Sequence, residues 1–279
     1  MTKIYYFSAT GNSLWSAKKI AQSITAVSPL EKCELLNIGV ETLPSTKSPA
    51  QAAAVRQENA LTQQGNTVIE ADAIIFIFPS FAYGMPHVVR NFMKNANFKT
   101  SYAAALVTYG SSPGGTLGSA LRILRKKDIG KMFFYSIPAV ENYLAIFGTP
   151  KEETIKLRCK MQAEATEEAS RLIIERKENK VSTFYPFSFF IYSLFTLGKK
   201  LFYNFYQVSK KCNGCSTCEK VCPVSAIVMK NGRPRFTSKC EHCQACINLC
   251  PLRAIQFSRV KFGSPGYRHP DIQISELKK

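Results

Sequence analysis

Over the first 180 residues, short apolar runs alternate with stretches of helical spacing. Ile4–Phe7 reads as a strand, Ser13–Ile24 as a helix and Glu34–Ile38 as a weaker strand. Ala73–Phe78 (AIIFIF) has no polar face, the signature of a strand covered on both sides. A helix starts at Val88–Met93, just after Pro86. Ala103–Thr108 is the next strand, Thr116–Lys127 the next helix, and Lys131–Val140 the fifth strand. Pro150–Asn179 reads as a long charged helix with proline in its first turn. Five strands separated by helices predict an α/β domain with a doubly wound, five-stranded parallel sheet. Glu41–Thr67, rich in Ala, Gln and Ser, interrupts the pattern and reads as an insertion carrying one helix.

The pattern then changes. In Phe184–Val208, 11 of 25 residues are Phe or Tyr. Phe187, Phe190, Ile191, Leu194, Leu201, Phe202 and Phe205 follow helical spacing, with Ser188, Tyr192, Thr196, Lys199 and Lys200 on the other side. The leading reading is a helix docking the two domains together, and the alternative is a helix lying on a membrane surface. The uncharged run Val181–Gly198 barely reaches spanning length, and its Ser, Thr and Pro make it a poor membrane span.

From residue 212 the chain repeats itself with a period of 28: Cys212, Cys215, Cys218, Cys222, Pro223, Ala226 and Ile227 recur as Cys240, Cys243, Cys246, Cys250, Pro251, Ala254 and Ile255. Each half is C-x2-C-x2-C-x3-C-P. Three close cysteines can wrap one side of a cubane iron–sulfur cluster, and the fourth thiolate arrives from elsewhere. Zinc also takes CxxC pairs, but the repeated x2-x2-x3-Pro spacing favours iron–sulfur over zinc or disulfides. The run resembles bacterial-type ferredoxins with two [4Fe-4S] clusters. That resemblance implies a small α+β domain in which Cys212, Cys215, Cys218 and Cys250 hold one cluster, and Cys240, Cys243, Cys246 and Cys222 the other. His242 reads as a neighbour of the ligands or an exposed residue, and Cys33 and Cys159 as small buried apolar residues.

The first strand runs into Ser8-Ala9-Thr10-Gly11-Asn12-Ser13 and then a helix. Hydroxyls, a glycine and backbone N–H groups at a helix start make an anion site. The loop is neither a P-loop nor a dinucleotide fingerprint, and it suits a phosphate monoester. It resembles the FMN-phosphate loop of flavodoxins. In a doubly wound sheet the ligand sits beyond the carboxyl ends of the strands, which adds two further loops, Pro79-Ser80-Phe81-Ala82-Tyr83-Gly84 and Thr108-Tyr109-Gly110 with Gly114 and Gly115. Phe81, Tyr83 and Tyr109 are candidates to stack on a flavin ring, with Asn142 (and Tyr143) a further contact after the fifth strand. His87 is a weaker proton-donor candidate, and Trp15 reads as core. The whole chain is similar to flavodoxin–ferredoxin fusion proteins, found mainly in anaerobes. Its expected division is a flavodoxin-like FMN domain at 1–180, an aromatic linker helix at 181–209 and a two-cluster ferredoxin domain at 210–279.

Composition narrows the function. The chain has 279 residues, 46% of them apolar, enough for a proper core. The N-terminal sequence has no secretory signal pattern, and clustered cysteines without one point to metal ligands in a cytoplasmic protein. Lys and Arg outnumber Asp and Glu by 37 to 19, a formal charge of +18. Such a surface favours an acidic redox protein as partner, or an anionic membrane. No nucleic-acid motif is present, so nucleic acid is not expected. The expected function is electron transfer between FMN, two [4Fe-4S] clusters and a redox partner. The alternative is an FMN-dependent oxidoreductase that reduces a quinone or nitro compound with electrons fed through the clusters; a third reading is an iron–sulfur sensor.

Overall fold

The computed structural model of the chain describes residues 1–41, 68–257 and 261–278. Its centre is a parallel sheet of β1 (Thr2–Tyr6), β2 (Cys33–Asn37), β3 (Val68–Glu70), β4 (Ala73–Pro79), β5 (Asn97–Tyr109) and β6 (Asp128–Pro138). The spatial order is β2-β1-β4-β5-β6, with β3 beside the start of β5. β3 and β4 keep one register against β5 (Val68 opposite Asn97, Ala73 opposite Tyr102), so they behave as one strand interrupted at Ala71–Asp72. The result is the five-position flavodoxin-like order 2-1-3-4-5, which reverses direction between its first and third members.

Alternation within AIIFIF builds both cores, because successive strand side chains point to opposite faces. Ala73, Ile75 and Ile77 join Ile4, Ile20 and Ile173 beneath α1 (Asn12–Val27) and the long charged helix. Ile74, Phe76 and Phe78 join Phe7, Phe92 and Ile123 beneath α2 (His87–Asn95) and α3 (Thr116–Leu124). The long helix, α4, spans Glu152–Ile174. β5 starts at Asn97 rather than Ala103, since Phe98, Thr100 and Tyr102 are buried while Lys99 and Ser101 are exposed, a period-2 pattern outside the apolar run. The expected insertion helix falls on residues 42–67, outside the described residues.

The aromatic segment differs most from expectation. Its helix, α5 (Pro186–Phe202), is followed by a turn and by β7 (Tyr206–Val208), which pairs antiparallel with β10 (Ile255–Phe257) in the cysteine-rich part. α5 does dock onto the rest of the chain, but with its polar side inward. Tyr192 is buried and its hydroxyl donates to the Met85 carbonyl, while the Arg90 guanidinium sits 5.5 Å over its ring. Lys199 is also buried, 2.8 Å from the Glu241 carboxylate, whose other oxygen accepts the His87 backbone N–H at 3.0 Å. Phe187, Phe190, Leu194, Leu197 and Leu201 face outward. The groove beneath the helix offers charged and carbonyl partners, and those select the polar side. Among the described residues, no helix is long and apolar enough to cross a membrane.

The cysteine-rich part carries α6 (Thr217–Lys220), α7 (Ala245–Asn248) and a hairpin of β8 (Ile227–Lys230) and β9 (Arg233–Phe236), turned at Asn231–Gly232 with both residues left-handed. The chain then returns to the sheet domain. Ile272 and Leu277 pack with Ala9 and Leu14 of the first loop and with Val221, Ala245 and Leu249. Trp15 lies at this junction rather than in the sheet core: it stacks on His269 at 5.0 Å and donates to Asp271 at 2.9 Å.

The buried Lys199–Glu241 pair yields a stability test. Lys199→Met leaves a buried carboxylate with no counter-charge and is expected to cost about 3–5 kcal/mol, read as a lower urea midpoint. The double variant Lys199→Met/Glu241→Gln is expected to recover most of that loss; equal loss in both would show that the charge itself is irrelevant.

Candidate functional site

A cleft opens at the carboxyl ends of β1, β4, β5 and β6. It is lined by Ser8, Thr10, Asn12 and Ser13 from the first loop, Pro79, Ser80 and Phe81 from the second, Thr108, Tyr109 and Gly110 from the third, and Val140, Glu141 and Asn142 from the fourth. Sequence reasoning missed Val140 and Glu141, which carry no motif and are placed only by the end of β6. The first loop is held firmly. Asn142 Nδ2 donates to Thr10 Oγ1 at 2.7 Å, Asn12 Nδ2 to the Val140 carbonyl at 2.9 Å, and the Ser13 and Thr108 hydroxyls lie 2.8 Å apart. Gly11 adopts φ +108°, and a Cβ there would lie 2.9 Å from His269 Cβ, so glycine is required on both counts.

The start of α1 has no side-chain cap, so its first-turn N–H groups remain available to an anion. Beside it lies a second feature absent from the sequence analysis. His269 N–H donates to the Thr10 carbonyl at 2.8 Å, and burial pushes the His269 imidazole down to a pKa of about 4. His269 Nδ1 accepts the Asp271 N–H, so the ring proton sits on Nε2. That Nε2 and Arg268 Nη1 are buried with no partner among the described residues. Uncapped N–H groups beside the Ser8, Thr10 and Ser13 hydroxyls fit a phosphate. This tail has no hydrophobic period or motif by which it could have been found.

Four other candidates lie outside the cleft. Tyr83 turns towards α5, its ring 6.4 Å from that of Phe187, and Gly84 packs under the Tyr192 ring. Gly114 lies against Tyr83, and Gly115 N–H donates to the Tyr83 carbonyl at 3.1 Å. These residues buttress the loops, with Tyr83 and Gly84 facing α5. Phe81 and Tyr109 are the aromatic rings at the cleft. His87 stacks on Tyr192 at 6.2 Å, away from the cleft lining.

In the cysteine-rich part, the sequence repeat is also a backbone repeat. Left-handed residues recur in pairs at Gly214 and His242, Ser216 and Gln244, and Ser225 and Arg253. The Cys222 sulfur accepts the Ala226 N–H at 3.2 Å, and the Cys250 sulfur accepts the Ala254 N–H at 3.3 Å. All eight thiols are free. Cys218 lies within electrostatic reach of Cys250, Cys212 and Cys215; burial first, then these neighbours, pushes its pKa up to about 12. Burial likewise raises Cys240 to about 11, and Cys222 faces it; Cys243 and Cys246 are pushed well up by burial, with Cys222 and Cys240 adjacent. The fold therefore gathers two crossed sets, each taking its fourth member from the other half. Among the described residues no three such side chains converge on a single metal ion. A four-iron cluster makes no such demand, since each thiolate binds a different iron, and the donor set fits one. His242 is buried, not exposed: Nε2 lies 3.0 Å from the Lys199 carbonyl and its ring stacks on Tyr206. Cys33 and Cys159 are only half-buried, and burial raises both thiols.

Cleft and cysteines meet. Asn142, which holds Thr10, accepts from Asn248 Nδ2 at 3.1 Å through its carbonyl. Tyr143 packs among the Cys240 and Cys246 side chains, and burial, then the Cys240 sulfur, pushes its hydroxyl up to about 12. Cys215 is exposed.

Residues 204–255 match the family model described as 4Fe-4S dicluster domain. The match starts inside the expected linker, just before β7. No curated protein matches the chain. Similar solved structures include an azoreductase from Bacillus anthracis str. Sterne, 14% identical, TM-score 0.41, covering 63% of this chain and 100% of that one. An NAD(P)H:quinone oxidoreductase from Methanothermobacter marburgensis is 12% identical, TM-score 0.39, covering 65% and 98%. Two-electron reduced Megasphaera elsdenii flavodoxin is 15% identical, TM-score 0.31, covering 60% and 99%. By its own strand order and by the match at 204–255, the chain joins a flavodoxin-like α/β sheet to a 4Fe-4S dicluster domain.

Proposed function

We propose that this protein is a cytoplasmic electron-transfer flavoprotein that binds FMN in the cleft and two [4Fe-4S] clusters in the crossed cysteine sets, and passes electrons to an acidic redox protein. The observation that carries this reading is the Asn142–Tyr143 segment, which lines the cleft, holds the first loop and packs against the Cys222/Cys240/Cys243/Cys246 set.

FMN bound there would supply a two-electron centre, and each cluster a one-electron centre. The chain does the rest. The start of α1 and the Thr10 and Ser13 hydroxyls receive the phosphate, and Phe81 and Tyr109 flank the ring. Cys240, Cys243, Cys246 and Cys222 hold the inner cluster beside Tyr143. Cys212, Cys215, Cys218 and Cys250 hold the outer one, near Cys246 through Cys218. Exposed Cys215, with exposed Lys210, Lys211 and Lys220 nearby in the chain, marks the outlet. Positive charge there steers an acidic partner.

Anaerobically purified protein is expected to hold about eight irons, eight sulfides and one FMN per chain. On rapid mixing with a limiting reductant, flavin and iron–sulfur absorbance should then relax together. Independent relaxation of the two, or full iron without flavin, would sink the reading.

Gly11→Val forces a side chain into a left-handed position against His269. It is expected to weaken FMN binding about tenfold, followed by flavin fluorescence, while iron content stays unchanged. Lys220→Glu is expected to slow electron delivery to an acidic acceptor about tenfold at low ionic strength, with the difference disappearing at high salt.

A further inference from the structure

We propose that the outward face of α5, together with the cationic pocket beside it, docks this protein onto an anionic membrane surface. Phe187, Phe190, Leu194, Leu197 and Leu201 form one stripe along the helix, and each is 60% or more exposed. Phe184 and Phe189 extend it at 79% and 69%. A contiguous apolar face of this kind on a folded protein marks an interaction site. The helix cannot roll to bury it, because Tyr192 and Lys199 anchor its other side to Met85 and Glu241.

Charge identifies what covers the stripe. Next to the start of α5 lies a pocket lined by Arg90, Lys94, Arg122, Lys126 and Lys127, with Ser119 and Ile123 and no acidic residue. Among the described residues none of these five cations enters an ion pair. The Lys127 ammonium donates to the Lys94 backbone carbonyl at 2.8 Å, which holds it at this pocket. Arg90, Ser119 and Arg122 also line the adjoining hollow with Phe184, Tyr185 and Phe189, so the cations and the aromatic end of the stripe share a wall. Apolar side chains that enter the acyl boundary beside cations that meet anionic headgroups are the two components of peripheral membrane binding. A second copy would bring its own formal +18 against this face. An anionic bilayer meets both components without that repulsion.

The test is flotation of the holoprotein with vesicles of phosphatidylcholine alone or mixed with phosphatidylglycerol. Binding to the mixed vesicles is expected to exceed binding to phosphatidylcholine about tenfold or more, and to fall with salt. Leu194→Glu/Leu197→Glu, both at exposed positions, should lower it about tenfold with unchanged circular dichroism and melting temperature. Lys94→Glu/Lys126→Glu should erase the preference for the anionic lipid. A Phe190→Trp variant should show a blue-shifted emission component on mixed vesicles only, a readout independent of both paired variants. Equal binding to the two vesicle types overturns the proposal, as does no binding to either. So does a concentration-dependent dimer that Leu194→Glu/Leu197→Glu dissolves, since a second copy then covers the stripe.

Discussion

The carboxylate of Glu241 sits inside the second cysteine run, between Cys240 and Cys243 in the sequence, and is almost wholly removed from solvent. One oxygen takes the Lys199 ammonium and the other takes the N–H that opens α2. Three separate pieces of chain are tied at that point: the aromatic helix, the sheet domain and the cysteine loop. A buried charge pair adds little net stability against an apolar alternative, but it punishes any arrangement that separates its members. That asymmetry explains why α5 lies polar side down. Its orientation follows from where Lys199 must reach.

The same constraint sets the relation between the two halves. With the cysteine loop pinned to α2, α7 comes to rest against the loop after β6, where Asn248 meets Asn142. The cleft and the inner cysteine set therefore share a wall and need no separate linker to bring them together. The segment between the halves, expected as a linker helix, also supplies a strand of the cysteine-rich part.

Much of this was legible in the sequence, for physical reasons. AIIFIF has no polar face, so it must be covered on both sides. The cysteine period survives because the ligand positions tolerate no drift, and the structure repeats it in its left-handed residues. What was not legible depended on partners. Val68–Glu70 is too short and charged to read as a strand, and only its register with β5 makes it one. The amphipathic spacing of α5 divides two faces but does not say which is inward, because that depends on polar partners elsewhere in the chain. Loop position and ring chemistry put Tyr83 at the cleft, but its ring faces Phe187 of α5. His269 lies in a segment with no period, and its place follows from contact with Thr10.

Gly11 and His269 touch, although they come from opposite ends of the described chain. On the ribosome the first loop emerges early and its covering segment late, with the whole cysteine run made in between. The first loop is thus covered only after the whole cysteine run has been synthesised, which gives folding a built-in order.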